Sequence, residues 1–167
     1  MKNLDTICVQ GGYSPKSGEP RVTPIVQSTT YEYKTAAELA DLFDLKADGY
    51  FYTRLANPTV DVFEKKLCQL DGGSCAVATA SGMSATLLAI LNVCGAGDNI
   101  VSSRAIYGGS YNLFSVTLPK YGIECRFFDP DAPKEEIEAL VDERTKVIFA
   151  ESIANPTIVV TDFDKIA

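Results

Sequence analysis

Ser81-Gly82-Met83 stands directly before an apolar run, ATLLAILNVC, whose spacing predicts a helix over 82–94. A helix that starts on a Ser-Gly step leaves its first backbone N–H groups unpaired and aimed at one spot, where the helix dipole favours negative charge. Such a turn can hold an anion. It also reads as a plain N-cap serine followed by a close-packing glycine. Three further stretches carry groups able to bind or to move protons: Tyr52-Thr53-Arg54, Tyr107-Gly108-Gly109-Ser110 and Glu151-Ser152-Ile153-Ala154-Asn155-Pro156. Each taken alone also reads as a loop, a turn or a cap. Their joint arrival at one edge of the fold argued below favours a shared site.

Histidine is absent from the 167 residues. That excludes Ser-His-Asp and Cys-His nucleophile systems, His-ligated metals and a His general base. Chemistry here must use Tyr, Lys, Glu, Asp, Ser or Cys, or a bound cofactor. The cysteines at 8, 68, 75, 94 and 125 form no C-x-x-C pair and are odd in number. Most fall in predicted helices or strands, so they are expected to be reduced core thiols rather than disulfides or zinc ligands, and no metal is expected. The net charge of −7 comes from scattered acids, and the fifteen Lys and Arg do not gather on one helix. A nucleic-acid partner is therefore not expected, whereas small-molecule phosphate remains open because backbone N–H groups can hold it. The mononucleotide fingerprints are missing: Gly95-Ala96-Gly97 precedes a strand instead of following one, and no G-x-x-x-x-G-K-[ST] occurs.

The elements that must position these residues follow from patterning. Residues 1 to about 34 carry Gly11-Gly12, Pro15, Gly18, Pro20 and Pro24 with little periodicity, which predicts an extended arm without a core of its own, of the kind that lies on a neighbour. Thr35 and Glu38 have capping-box spacing at the head of a helix over 35–46, with Ala36, Leu39, Leu42 and Phe43 on one face. After the loop ADGYFYTRLA, Asn57 as N-cap and Pro58 at the first helical position start a second helix. Val62, Phe63, Leu67 and Leu70 form its expected buried stripe, and Gly72-Gly73 its stop. Then the pattern alternates: strand 75–79, helix 82–94, strand 99–102, helix 109–120, strand 124–128, helix 133–141, strand 146–150. Strands separated by single helices predict an α/β fold with a mainly parallel sheet, and ligands of such sheets sit beyond the strands' carboxyl ends. The four stretches above fall there.

The N-terminus, MKNLDTICVQGG, lacks a signal-peptide apolar region, and the apolar run around Leu87 to Val93 is too short to cross a bilayer. A cytoplasmic protein without a membrane partner is expected. Asp162 in TDFDKIA reads as the cap of a helix barely one turn from the last residue, which suggests the front part of a longer protein.

In this order, YTRLANPTVDVFEKKL, ATASGMSA, YGGSYNLF and ESIANPT resemble the Cys/Met-metabolism family of pyridoxal-phosphate enzymes, of the aspartate-aminotransferase fold type. Within it, YEYKTAAELADLF and YGGSYNLFSVTLPKYGI look most like the O-acetylhomoserine sulfhydrylase branch, with cystathionine gamma-synthase and methionine gamma-lyase as near alternatives. The resemblance implies that Ser81, Gly82 and Met83 hold the phosphate of pyridoxal 5'-phosphate. It implies that Tyr52 and Arg54 add a phenol and a guanidinium to a phosphate in an adjacent subunit's site, within a homotetramer. Tyr107 would stack on the pyridine ring and serve as the catalytic proton carrier. Asn155 would hydrogen-bond the ring hydroxyl or the substrate carboxylate, with Glu151 supporting the strand end.

The implied reaction is γ-replacement of acetate in O-acetylhomoserine, a small amino-acid substrate, by sulfide or a small thiol. The family's pyridine-nitrogen aspartate, cofactor-bearing lysine and substrate-carboxylate arginine match no motif here, so residues 1–57 would be an arm, helix and inter-subunit loop, and residues 58–167 the front part of the cofactor domain. Catalysis by this chain alone is not expected. The same likeness puts strands 99–102, 124–128 and 146–150 in one parallel cluster and leaves strand 75–79 without a ladder partner.

Overall fold

The computed structural model describes residues 3–167. They form two compact units that divide between Ala78 and Thr79.

The first unit is helical. Residues 1–34 are not uniformly extended: Asn3 caps a short helix, α1 (Leu4–Gln10), by accepting from the Asp5 N–H. This helix packs on the second of the two helices that follow, and the Lys66 ammonium donates to the Cys8 carbonyl at 3.0 Å. The arm thus finds a partner within its own chain. Helix α2 (Ala36–Phe43) has the expected capping box, Thr35 accepting from the Glu38 N–H and Glu38 from the Thr35 N–H. It ends three residues before the expected Lys46, and of its apolar face only Leu42 is buried. Helix α3 (Pro58–Asp71) starts on Asn57 and Pro58, and stops at Gly72 in the left-handed conformation, φ 68°, which glycine adopts without a steric penalty. Its expected buried stripe is not covered: Phe63 and Leu67 are exposed and none of its residues is fully buried.

Residues 75–79 enter no ladder, as the resemblance implied, and the expected strand is corrected to irregular backbone: Val77 is exposed, and the Ala78 N–H donates to a side chain, Glu64 Oε1, at 2.7 Å. Without a strand alongside, extended backbone takes whatever acceptor is near.

The second unit is a parallel three-stranded sheet with helices on both faces. Helix α4 (Gly82–Val93) leads to β1 (Asn99–Ser103). The expected helix 109–120 is one run whose winding changes twice, from α5 (Gly108–Asn112) through a π-helical stretch (Leu113–Thr117) to a 3₁₀ turn (Leu118–Tyr121). Then come β2 (Glu124–Phe128), α6 (Lys134–Glu138), which is shorter at both ends than the expected 133–141, β3 (Thr145–Phe149) and α7 (Phe163–Ile166), capped by Asp162. The strand order is β2-β1-β3, all parallel, with Ile100 opposite Cys125 on one side and Val147 on the other.

Every residue of β1 is buried, and its alternation feeds two cores. Ile100 joins Ile90, Ile106, Leu113, Phe114, Leu118 and Ile123 on one face, while Val101 joins Phe128 and Ile137 on the other. Helix α4 gives this core Ile90 and the partly buried Leu87, but Leu88, Leu91 and Val93 are exposed, so the apolar run is only half covered. The cysteines correct in the same direction: Cys94 is buried, Cys68 and Cys125 are half-buried, Cys8 and Cys75 are exposed, and all are free. Burial pushes the Cys125 thiol up to about 12, with Glu124 adding to the effect.

At the amino ends of the strands, buried Asn99 donates from its side-chain amide to Asp142 at 2.8 Å and accepts from the Thr145 hydroxyl at 2.7 Å. The Arg126 guanidinium pairs with the same carboxylate at 2.9 Å. Asn99, with Arg126 behind it, holds the Asp142 carboxyl well below the usual carboxylate range. This knot leaves the carboxyl ends of the strands free for the site.

Candidate functional site

Helix α4 begins as the Ser-Gly step requires. Ser81 Oγ accepts from the Ser84 N–H at 3.1 Å and lies 2.9 Å from the Ser84 hydroxyl, so the third turn donor is satisfied. The N–H groups of Gly82 and Met83 occupy the first two helical positions, where no intrahelical acceptor exists. A side chain at Gly82 would meet nothing within 4 Å, so the approach to these donors is open. The helix does not follow a strand, as residues 75–79 form none, yet the turn itself has the expected form.

Tyr107 is the N-cap residue of α5, beyond the end of β1, and the residue is about half exposed at 47%. The ring lies against Gly109: a Cβ there would come within 2.4 Å of Tyr107 Cε1 and 3.2 Å of Met83 Sδ. Glycine is required for that close approach, and the same contact brings the head of α4 beside the tyrosine. Ser110 Oγ is 4.0 Å from Met83 Sδ, a second link between α4 and α5.

Beyond β3, residues 151–161 turn back in a small hairpin. Ala154 donates to the Val159 carbonyl at 2.9 Å, Thr161 to that of Ser152 at 3.1 Å, and the Asn155-Pro156 peptide is cis. The Glu151 carboxylate accepts from two backbone donors: Tyr107 N–H at 2.8 Å and Asn155 N–H at 3.1 Å. Ser81, Gly82, Met83, Tyr107 and Asn155 are thereby drawn to one edge of the sheet. The sequence motif marked Glu151 only as support for the strand end. Its role in joining two loops, and the need for Gly109 under Tyr107, were not legible from residue type.

Tyr52 and Arg54 lie in the first unit, on a loop tied down at several points. Tyr52 bridges antiparallel to Thr30, and the Thr53 N–H donates to the Thr29 carbonyl at 2.9 Å. Buried Asn57 donates to the Val26 carbonyl at 3.1 Å and to Thr53 Oγ1 at 3.0 Å, while the Tyr50 hydroxyl donates to Asp61 at 2.7 Å. Burial and this carboxylate push the Tyr50 hydroxyl up to about 12, so it stays a donor. Arg54 is exposed, its guanidinium 5.2 Å from the centre of the Tyr52 ring, and both side an open cavity of about 400 Å³ with Phe43, Phe51 and Leu55. A phenol beside a guanidinium that has no ion pair among the described residues suits an anionic group.

At the carboxyl edge of this parallel α/β sheet an open helix start, a half-exposed tyrosine and an asparagine hairpin come together. Residues 5–167 match the family described as Cys/Met metabolism PLP-dependent enzyme, and the chain belongs to that family. Its cofactor is pyridoxal phosphate, and the residues present fit that group: two open amide donors for the phosphate and a ring to stack on its pyridine.

The chain is 45% identical to a homocysteine/cysteine synthase of Kluyveromyces lactis, over 98% of this chain and 37% of the relative. It is 44% identical to an O-acetyl-L-homoserine sulfhydrylase of Thermus thermophilus, over 98% of this chain and 39% of the relative. Among solved structures it matches a protein described as an O-acetylhomoserine (thiol)-lyase from Campylobacter jejuni, solved with N'-pyridoxyl-lysine-5'-monophosphate. The TM-score is 0.89 and the identity 38%, over 99% of this chain and 41% of that one. The chain thus spans about two fifths of the length of these relatives.

Proposed function

We propose that this chain supplies the phosphate and ring-stacking side of the cofactor site in an enzyme that replaces the γ-acetoxy group of O-acetylhomoserine by sulfide, breaking the Cγ–O bond and forming Cγ–S to give homocysteine and acetate. The observation that carries the reading is the meeting of the α4 start, Tyr107 and the Asn155 hairpin at one sheet edge. When bound, pyridoxal phosphate supplies the electron sink that makes an amino acid's α-carbon acidic.

The chain's own residues bind and orient. The Gly82 and Met83 amides and the α4 dipole hold the phosphate without net positive charge. Tyr107 presents its ring face to the pyridine and its hydroxyl as the group that holds or moves a proton during loss of acetate. Asn155 fixes the ring hydroxyl or the substrate carboxylate. Tyr52 and Arg54 serve the phosphate of a neighbouring subunit in a homo-oligomer, a homotetramer by family likeness, whose small-molecule partner is the amino-acid substrate. The protein works in the cytoplasm; among the described residues no helix is long and apolar enough to cross a membrane.

Equilibrium dialysis of the intact protein that carries this chain tests the reading. Pyridoxal phosphate should be retained and pyridoxal, which lacks the phosphate, should not, while O-acetylhomoserine and sulfide yield homocysteine. Equal retention of the two vitamers, or turnover that does not depend on them, would overturn it.

A further inference from the structure

Glu151 holds together two segments that the sequence places far apart. One oxygen, Oε1, accepts from the Tyr107 N–H at 2.8 Å, and the other, Oε2, from the Asn155 N–H at 3.1 Å. Its own carbonyl accepts from the Thr161 hydroxyl at 2.6 Å, which fixes the base of the hairpin from which the carboxylate reaches out. Both acceptor oxygens are thus committed to backbone donors. Hydrogen bonds to an ionised carboxylate are roughly twice as strong as neutral ones and fix geometry as well as energy.

At Tyr107 the bonded amide belongs to the residue whose ring rests on Gly109, so backbone and ring are constrained together. At Asn155 the bonded amide orients the tip of the hairpin. We propose that Glu151 is a positioning residue: its carboxylate sets the spacing between the tyrosine platform and the asparagine, and so couples the two loops that face the cofactor. This rests on the cofactor reading above, because only a ligand touching both residues would make their spacing matter.

The test uses Glu151→Gln and Glu151→Ala in the intact protein, with Glu143→Ala, an exposed carboxylate outside the site, as control. Hydrogen exchange without added cofactor should accelerate by about tenfold or more in both the peptide containing Tyr107 and the peptide containing Asn155, the scale set by losing one charge-assisted bond at each. Visible circular dichroism at saturating pyridoxal phosphate should fall in the same variants and not in the control. A neutral amide keeps one acceptor but turns a donor toward the second N–H, so Glu151→Gln should not restore both segments. If either variant fails to fold, Glu151→Asp, one methylene shorter, is read the same way. Acceleration in one segment alone, or in neither, overturns the coupling. Acceleration in both with unchanged dichroism leaves a structural link only and overturns the positioning role, while the cofactor reading stands. A wild-type protein that gives no dichroic band with pyridoxal phosphate overturns both readings.

Discussion

Individual residues divide into those that touch a ligand and those that place them. The proposed function puts Arg54 in the first group. Its guanidinium is exposed and forms no ion pair among the described residues, whereas exposed Lys46 is paired with Asp44 at 2.7 Å. A bidentate contact to phosphate contributes roughly 1.5 to 3 kcal/mol, and an exposed lysine pair about 0 to 1. In the intact protein Arg54→Ala should therefore weaken cofactor retention by about tenfold or more and Lys46→Ala hardly at all, as dialysis and absorbance would show. Gly109 belongs to the second group. Its missing side chain lets Tyr107 Cε1 lie where a Cβ would be 2.4 Å away. Gly109→Ala should displace the ring at a cost of about 1 to 3 kcal/mol, the range for overpacking, and appear as a weaker and spectrally shifted cofactor complex. Unchanged spectra would mean that the ring is not part of the platform.

Among elements, the three paired strands and the caps were legible, and strand 75–79 and the irregular segments were not. Thr35 with Glu38, Asn57 with Pro58, and Ser81 announced helix starts because a cap needs specific side-chain oxygens at fixed spacing, and the structure uses each. Asn99, Val101 and Ile148 lie in strands as the alternation of apolar segments with helical spacing implied. The π-helical stretch 113–117 and the 3₁₀ turn after it carry no such signature, since Leu113, Phe114 and Leu118 would face the core equally in a regular helix. Residues 75–79 failed for another reason: strand propensity is local, but a strand exists only beside a partner.

The knot at the opposite end of the sheet makes a prediction of its own. Asn99→Ala would strand Asp142 and Thr145, and should cost about 1 to 3 kcal/mol, read as faster exchange of the Ile100 and Val101 amides. Asp142 is held below its ordinary range, so the stability it contributes is present above about pH 4 and is lost only as acid carries the pH down through its lowered value. Asp142→Asn should therefore loosen β1 at neutral pH and flatten its acid dependence below about pH 4. An equally steep acid profile in the variant would place the titration elsewhere.

For the molecule as a whole, the balance between buried and bare apolar surface is unusual. Phe63 and Leu67 on α3, Leu88, Leu91 and Val93 on α4, Ile148 on β3, and Ile153 and Val160 on the hairpin are all exposed. Apolar side chains left bare in this way, on each unit by itself, offer surface that can bind other protein. The 167-residue chain expressed alone should self-associate and bind a hydrophobic dye. A monomer in sedimentation that melts in one cooperative step would show these faces to be harmless. The sequence made Phe63 and Leu67 look buried because amphipathic spacing reports which side of a helix seeks cover, without saying which polypeptide provides it.

The order β2-β1-β3 also bears on how the sheet is built during synthesis. The central strand is the first to leave the ribosome, and each later strand adds to an edge that is already exposed, so none has to insert between two that have paired. At about 5 to 20 residues per second, the roughly 50 residues from Asn99 to Phe149 emerge within several seconds. During that interval Ile100 has Ile90 of the earlier helix α4 beside it and gains the helical run 108–121 next, while Val101 waits for Phe128 and Ile137. A nascent chain released as far as Gly122 should protect the Ile100 face of β1 from proteases more fully than one released only as far as Leu113, in which α4 is its one cover.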